Sequence, residues 1–395
     1  MRCLWITFAD PEPPHSGQFV YTAGLIRSFA DAGAELHVLA LSERNSYRRS
    51  GLREGRVTWW LGGEHRLPQW SSLGSRLPNI ANRCKTPAMQ RLLHERLQQH
   101  EWDAIIFDGL SAVWALGPVL RRYPDPGRRP RIVHVSHNHE ASTRTLLPNS
   151  HSSFLKRQAL RWDNVKIALT ERALVRASDL VTAITPEDRE AYLRQWPDKP
   201  IEVLTPGYQG RAVDSRLITE RAPRRAVIVG TFDWVAKRIN MEQFIHAADS
   251  LFAQRGIQLQ IIGSGDPGFI RSMQEKVQAT EFTGTVNRVE AYLDEARVAI
   301  VPEQIGGGFK LKILDYVFNR IPILALHGSA AGVPLRNNES ILFFSSHDEL
   351  AGGVMRTIDE LDRLNHLQDA AYSACRDQFD WNSRGQRLAT ALGSL

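Results

Sequence analysis

Residues 306–315 combine residue types that bind phosphate groups. The segment opens with three consecutive glycines, carries Lys310 and Lys312, and ends at Asp315. Glycines let a backbone approach a ligand closely, and a glycine-rich turn that opens a helix presents N–H donors and the positive end of the helix dipole. The pattern therefore predicts a phosphate-binding loop followed by a helix. A plain glycine-rich connection between a strand and a helix has the same pattern.

Glycines also follow the other apolar runs of the second half. Gly230 follows residues 226–229, Gly263 and Gly265 follow residues 259–262, and Gly284 interrupts residues 282–286. A strand that ends in glycine places a loop at the carboxyl edge of a parallel sheet, where open α/β sheets bind ligands. A basic pair, Lys237-Arg238, lies shortly after the first of these glycines. An exposed basic pair at the start of a helix is the alternative interpretation of Lys237-Arg238.

A dense polar cluster at residues 134–140 contains three histidines and Glu140. In an extended segment alternate residues point to the same side, so His137 and His139 would share a side. No second cluster of histidine and aspartate completes a four-ligand site. We therefore predict no metal here, and a capped polar turn remains an alternative.

The elements that would hold these residues alternate between short apolar strands and amphipathic helices. Strands are predicted at residues 4–8, 36–41, 104–107, 132–135, 180–184, 226–229, 259–262, 298–301, 323–325 and 341–344, and helices at 21–31, 155–178 and 381–392. Such alternation is typical of parallel sheets covered on both faces. With 395 residues, the chain exceeds what one core usually supports. We predict an α/β protein of two doubly wound, Rossmann-like domains facing a central cleft, with domains at 1–205 and 206–375 and a helix at 376–395 that crosses back to the first domain.

Bulk properties limit the location and the partners. The formal net charge of +6 suits nucleotides, nucleic acid or an anionic membrane surface, and it does not choose among them. Three dispersed cysteines indicate a reducing compartment, and no apolar stretch is long enough to cross a membrane. We expect a cytoplasmic protein that is at most peripheral to the inner face of a membrane.

The run from Val301-Pro302 through Asp315, followed by residues 319–325, resembles the donor-binding signature of family 4 glycosyltransferases. The resemblance is strong over residues 226–325. It implies a GT-B fold, a nucleotide-sugar donor and transfer with retention. We expect no cofactor, and the sequence has no Asp-x-Asp motif that would hold Mg²⁺ on a diphosphate, so we also expect no metal. It also implies that Asp315 stands where a glutamate usually accepts hydrogen bonds from the ribose. Gly307 replaces the family's first acid, which contacts the donor sugar, and Glu303 is the nearby substitute.

The same resemblance implies a donor site made by residues from both halves. These residues are Gly17, Gly230, Lys237, Arg238, Gly263, Gly265, Gly284, Glu303, Gly307, Gly308, Phe309, Lys310 and Asp315. Two residues are the catalytic candidates. Lys237 would stabilise the departing diphosphate, and His137, near the reacting sugar, would bind a hydroxyl or assist a proton transfer.

In related enzymes the first domain receives the acceptor, which is often a lipid-linked sugar. We expect a saccharide, a lipid-linked saccharide or a natural product as acceptor, and no nucleic acid. A basic surface with tryptophans in the first half could touch a membrane, or it could be an ordinary solvated face. Its members are Arg48, Arg49, Arg53, Arg121, Arg122, Arg128, Arg129, Arg131, Lys156, Arg157, Arg161, Trp59, Trp60, Trp70 and Trp162. A sugar-nucleotide epimerase of the same fold and a non-catalytic nucleotide-sugar or nucleic-acid binder are the alternative functions.

Overall fold

A computed structural model describes residues 1–14, 16–143, 154–232, 235–286, 288–303 and 308–395. The strands are β1 Arg2–Ala9, β2 Glu35–Leu41, β3 Arg53–Glu54, β4 Val57–Leu61, β5 Ala104–Asp108, β6 Arg131–Val135, β7 Leu180–Ala183, β8 Ile201–Val203, β9 Arg225–Val229, β10 Gln258–Ile262, β11 Thr280–Gly284, β12 Val298–Val301, β13 Ile323–Leu326 and β14 Leu342–Phe344. The helices are α1 Gly17–Asp31, α2 Asn79–Cys84, α3 Pro87–Gln99, α4 Leu116–Arg122, α5 Glu140–Thr143, α6 Phe154–Ala177, α7 Pro186–Leu193, α8 Val235–Arg255, α9 Pro267–Gln274, α10 Glu290–Asp294, α11 Leu311–Phe318, α12 His347–Thr357, α13 Leu361–Cys375 and α14 Trp381–Gly393. Short 3-10 helices lie at Gln69–Ser72 and Leu110–Ala115.

The first compact unit comprises Met1–Gly207 and Asp380–Leu395. Its described residues form an eight-stranded sheet in the order β3-β4-β2-β1-β5-β6-β7-β8. Every pairing is parallel except that of β3 with β4. The central strands are buried along nearly their whole length, which explains why they are continuous apolar runs in the sequence.

The second compact unit comprises Tyr208–Phe379. Its described strands form a six-stranded, fully parallel sheet in the order β11-β10-β9-β12-β13-β14. Core residues of α8 and α12 pack in one hydrophobic cluster, those of α11 pack in another, and α13 contributes residues to both. Each unit is thus a parallel sheet with helices, as the Rossmann-like prediction requires.

The C-terminal helix α14 belongs to the first unit, where it packs on α1. The contact is close because glycines remove side chains at two points. A Cβ at Gly385 would lie 1.9 Å from the backbone oxygen of Ser28, and one at Gly24 would lie 2.4 Å from the Trp381 ring. Arg384 adds a hydrogen bond of 2.9 Å to the backbone oxygen of Thr205.

Part of the predicted basic surface is wrong, because Arg48 and Trp59 are buried. The Arg48 guanidinium bonds to Asp10 at 2.7 Å, to Glu54 at 2.6 Å and to Glu12, and it lies 4.0 Å from the Trp59 ring centroid. Three carboxylates compensate the charge, so the arginine can be buried. Trp70 and Trp162, by contrast, are 73% and 56% exposed. Among the described residues, no helix is both long and apolar enough to cross a membrane.

Candidate functional site

Three glycines meet at the carboxyl ends of neighbouring strands in the second unit. Gly230 follows β9, Gly263 follows β10, and Gly284 ends β11. The Gly230 amide donates to the oxygen of Ile262 at 3.0 Å, and the Gly263 amide donates to the oxygen of Gly284 at 2.9 Å. The structure therefore brings these predicted glycines together at one edge of the sheet.

Only glycine fits at position 263. Its φ is +137°, and a Cβ would lie 1.8 Å from the backbone oxygen of Gly230. The turn after β10 can therefore lie directly against the turn after β9. Gly265 continues the contact by pairing with Phe232 in a parallel bridge.

A cavity of about 370 Å³ opens beside these turns. Gly265, Gly284 and Thr285 line it, together with Arg271 of α9. Backbone groups at strand ends and one guanidinium can recognise a flat polar ligand by hydrogen bonds.

Among the described residues, Lys237, Lys312 and Glu303 are the charged groups that act on Lys310. Burial lowers the pKa of Lys310, and the carboxylate of Glu303 raises it in part. The positive charges of Lys312 and Lys237 lower it again. The ammonium of Lys312 forms an ion pair with Oε1 of Glu303. Lys237 lies in the first turn of α8, where its Nζ donates to Thr231 Oγ1 at 3.2 Å.

The two carboxylate oxygens of Glu303 differ in their hydrogen bonds. Oε1 accepts from Lys312, while Oε2 is buried and has no hydrogen-bond partner among the described residues. An unpartnered carboxylate oxygen in a buried position costs free energy unless a ligand satisfies it.

Asp315 lies on α11, and its pKa is raised to about 6 by burial and by the negative charge of Glu290. Its backbone oxygen accepts from Asn319, so the peptide is fixed while the carboxyl remains for other partners. Nearby, the Tyr316 hydroxyl accepts from the amide of Val229 at 2.8 Å and ties α11 to the end of β9.

The other residues that the sequence predicts to bind the donor are Gly17, Arg238, Gly307, Gly308 and Phe309. Gly307 lies outside the described residues, and Gly308 follows with a φ of +79°. The Phe309 ring packs 5.9 Å from that of Phe379, and the Arg238 guanidinium lies 5.7 Å from the Phe269 ring. Gly17, placed by the sequence in a loop before a helix at 21–31, is instead the first residue of α1, because the chain is already helical after Ser16.

His137 of the first unit contacts a residue that the sequence analysis missed. Its Nε2 lies 2.5 Å from Oδ1 of Asp108, which ends β5 and is fully buried. Asp108 Oδ2 accepts from Trp5 Nε1 at 3.0 Å and from Thr22 Oγ1 at 2.9 Å. Asp108 lies 29 positions before His137. Only the pairing of β5 with β6 brings the two together, so the spacing in the sequence gave no signal.

Burial alone would raise the pKa of the Asp108 carboxyl. The charge and the hydrogen bond of His137 outweigh burial, with help from the other two donors, and they lower the pKa of Asp108 below its usual value. The carboxylate is therefore ionised at neutral pH.

A buried network holds the segment that carries His137. Glu171 accepts from the amides of Glu140 and Ala141 at 2.9 and 3.0 Å, and from the Tyr192 hydroxyl at 2.8 Å. The prediction that His137 and His139 share a side is wrong, because β6 ends at Val135 and the following residues are not extended. His139 packs on Tyr192 instead, with ring centroids 4.8 Å apart. Among the described residues, no group of histidines, cysteines and acids could hold a metal ion.

Two family models match the chain. Residues 15–209 match the model described as Glycosyltransferase Family 4, and residues 223–360 match the model described as Glycosyl transferases group 1. The chain belongs to the family 4 glycosyltransferases. Its sequence matches none of the curated proteins with which it was compared.

Solved structures show that this glycosyltransferase has the GT-B fold. Sucrose-phosphate synthase from Thermosynechococcus elongatus is 17% identical, with a TM-score of 0.74 over 100% of this chain and 98% of that one. HepE of Anabaena, solved with UDP and glucose, is 13% identical, with a TM-score of 0.66 over 100% of both chains. TarM of S. aureus, solved as a G117R mutant with fondaparinux, α-GlcNAc-glycerol and UDP, is 9% identical, with a TM-score of 0.66 over 99% of both chains. At these identities the likeness shows the fold alone.

The family, the fold class and the enzyme class predicted from the sequence are thereby confirmed. The roles of individual residues in this glycosyltransferase stay predictions.

Proposed function

We propose that this glycosyltransferase moves a hexose-type sugar from a nucleoside-diphosphate donor to an acceptor hydroxyl, with retention and without a metal ion. The acceptor is a saccharide, a lipid-linked saccharide or a natural product, and the second unit binds the donor. The observation that carries the proposal is the excess of positive charge beside the glycine turns. Among the described residues, Glu303, Lys312 and Lys237 are the charged groups that act on Lys310, and Glu303 also pairs with Lys312.

The lysines suit the diphosphate of the donor. Burial lowers the pKa of Lys310, so a nearby phosphate anion would stabilise its charged form. A fixed cation next to the scissile bond also stabilises the negative charge that develops on the departing diphosphate. Lys237 is the residue to which we assign this catalytic role, and the lysines supply charge that a metal ion supplies in other enzymes.

The neighbouring features suit the other parts of the donor. Asp315 on α11 would accept hydrogen bonds from the ribose. The cavity beside Gly265 and Gly284 would hold the base. The free Oε2 of Glu303 would accept from a sugar hydroxyl, which compensates for Gly307 at the position where the family has an acid. UDP and glucose in the HepE structure support a nucleotide and a sugar as ligands of this fold.

Turnover of donors tests the proposal. The protein is incubated with a panel of nucleoside-diphosphate sugars, and slow release of the nucleotide from one of them is expected, accelerated by a suitable acceptor. Interconversion of two sugars would instead identify an epimerase. Binding of a donor without turnover, with every acceptor offered, would identify a non-catalytic binder.

We further propose that the enzyme is cytoplasmic and contacts the inner face of the membrane through an exposed apolar patch of the first unit. The patch consists of Trp70, Leu73, Trp162, Val165 and Leu169. One part of the patch, Trp70 and Leu73, lies at the 3-10 helix, and the other three residues lie on α6. The two parts are adjacent, because Lys166 Nζ on α6 donates to the backbone oxygen of Ser72 at 2.6 Å. Residues 65–94 around the first part contain five cations and no acid. An apolar patch in a basic surrounding fits an anionic lipid surface.

A further inference from the structure

The imidazole of His137 is held in one orientation. Nε2 lies against the Asp108 carboxylate, and the Tyr21 ring packs edge-on with its centroid 5.3 Å from that of His137. On another side, a Cβ at Gly109 would lie 3.3 Å from Cδ2 of His137. The other ring nitrogen, Nδ1, does not contact Asp108. It has no hydrogen-bond partner among the described residues, and the side chain is 12% exposed.

Asp108 can only accept, because it is ionised. All three groups around it therefore donate: Trp5, Thr22 and His137. The proton of a neutral His137 must then be on Nε2, which leaves a lone pair on Nδ1. A buried carboxylate fixes the tautomer of a histidine in the same way in other active sites.

We infer that Asp108 is a positioning residue that holds His137 as the Nε2–H tautomer, so that Nδ1 accepts a hydrogen bond from a substrate hydroxyl. The inference rests on the proposed function for its substrate, a sugar, and it specifies which atom recognises it. In its neutral form His137 accepts at Nδ1 and cannot donate there, so a hydroxyl is selected over a group that only accepts. The protonated ring, whose charge lowers the pKa of Asp108, donates from both nitrogens.

Asp108→Asn tests the inference directly, because the groups that contact Asp108 fix the orientation of the asparagine amide. Trp5 can only donate, so the amide oxygen faces Trp5 and Thr22. The amide NH2 then faces Nε2 of His137, which must become an acceptor. The proton moves to Nδ1, and the atom that faces the substrate changes from acceptor to donor.

The direct measurement is the tautomer of His137 in the full-length protein labelled with 15N-histidine. Long-range 1H–15N correlation spectra at a pH where the ring is neutral distinguish the two forms, and the spectrum of His137→Asn identifies the His137 signals among the 13 histidines. We expect Nε2–H in the wild type and Nδ1–H in D108N. Thr22→Val is the matched control, since it removes one donor from the same carboxylate and should leave the Nε2–H form. An Nδ1–H form in the wild type would overturn the inference without reference to any activity.

Turnover supplies the second readout. D108N should lower kcat/KM by about 2- to 10-fold, the size of one hydrogen bond between neutral groups. Should D108N fail to fold, two variants of His137 decide. An asparagine amide reaches the place of Nδ1 and a glutamine amide that of Nε2, so His137→Asn should retain several-fold more kcat/KM than His137→Gln. The opposite order would contradict a role for Nδ1. If no sugar donor is turned over by the wild type, the proposed function fails, while the tautomer is still measured by the spectra.

Discussion

Among the described residues, the positive charges of Lys237 and Lys312 act on Lys310, and Glu303 is the acid that acts on it in the opposite sense. Repulsion between the positive charges of the lysines is unfavourable in the ligand-free protein, and a bound diphosphate would offset it. The sequence located these residues because all follow the ends of apolar strands. It could not show that burial lowers the pKa of Lys310, since that depends on tertiary packing.

Lys237→Ala should raise the Kd of the nucleoside diphosphate by about 10- to 100-fold, because one charge-assisted hydrogen bond to a charged group is worth about 1.5–3 kcal/mol. Isothermal titration calorimetry measures the change. Lys276→Ala is the matched control, since Lys276 is an exposed lysine of the same unit. Equal affinity in wild type and K237A would remove Lys237 from the phosphate site.

Asp315 should make nucleotide binding depend on pH. Its raised pKa of about 6 means that the carboxylate is protonated as the pH falls through 6, and a protonated group is the weaker acceptor for ribose hydroxyls. Affinity should therefore fall below pH 6 in the wild type. The terminal phosphate itself titrates at about pH 6, so the measurement is the difference between wild type and Asp315→Asn. Identical pH profiles for the two proteins would exclude the role of Asp315.

At the scale of elements, the sequence predicted the central strands and the edge strand β14, but it missed β3, β4, β8 and β11. β1, β5 and β12 are buried along nearly their whole length, so each is an apolar run. β8 and β11 lie at the edges of their sheets and are only half-buried. An edge strand of mixed composition has no continuous apolar run to recognise, and both were missed.

The packing of α14 on α1 gives a prediction at this scale. Gly385→Ala would drive a Cβ into the backbone of Ser28, and overpacking of this kind costs about 1–3 kcal/mol. The melting temperature of the first unit should fall by about 2–4 °C for each kcal/mol. Calorimetric unfolding measures it.

Gly393→Ala on the same helix is the control for that experiment. No atom lies within 4 Å of a Cβ there, and alanine favours a helix over glycine. G393A should unfold at or slightly above the wild-type temperature. If G385A does the same, the close contact between the two helices is not as described.

At the scale of the whole molecule, the distribution of charge and apolar surface predicts membrane binding. The net charge of +6 gave only a general preference for acidic partners. Arg48 and Trp59 are buried while Trp70 and Trp162 are exposed, so the patch around Trp70 and Trp162 is the surface that we propose for the contact. Burial of single residues depends on tertiary packing, so the sequence could not separate the two pairs.

Sedimentation with lipid vesicles tests that contact. The protein should bind vesicles of phosphatidylcholine with phosphatidylglycerol more tightly than phosphatidylcholine alone, and salt should weaken the binding. Trp70→Ala with Trp162→Ala should weaken it by about tenfold or more, since burying one large apolar side chain is worth about 1.5–3 kcal/mol. Leu217→Ala is the control, because Leu217 lies in the second unit and is as exposed as Trp70. Unchanged binding of the double variant would show that the patch is not the contact.

A crystal structure of the enzyme with the nucleotide that it releases would show where the donor binds. We expect phosphate oxygens within hydrogen-bond distance, about 3.2 Å, of Nζ of Lys237 or Lys310. We also expect a ribose hydroxyl on the carboxylate of Asp315 and the base in the cavity beside Gly265 and Gly284. A nucleotide bound elsewhere, with no phosphate at the lysines, would contradict the proposed donor site.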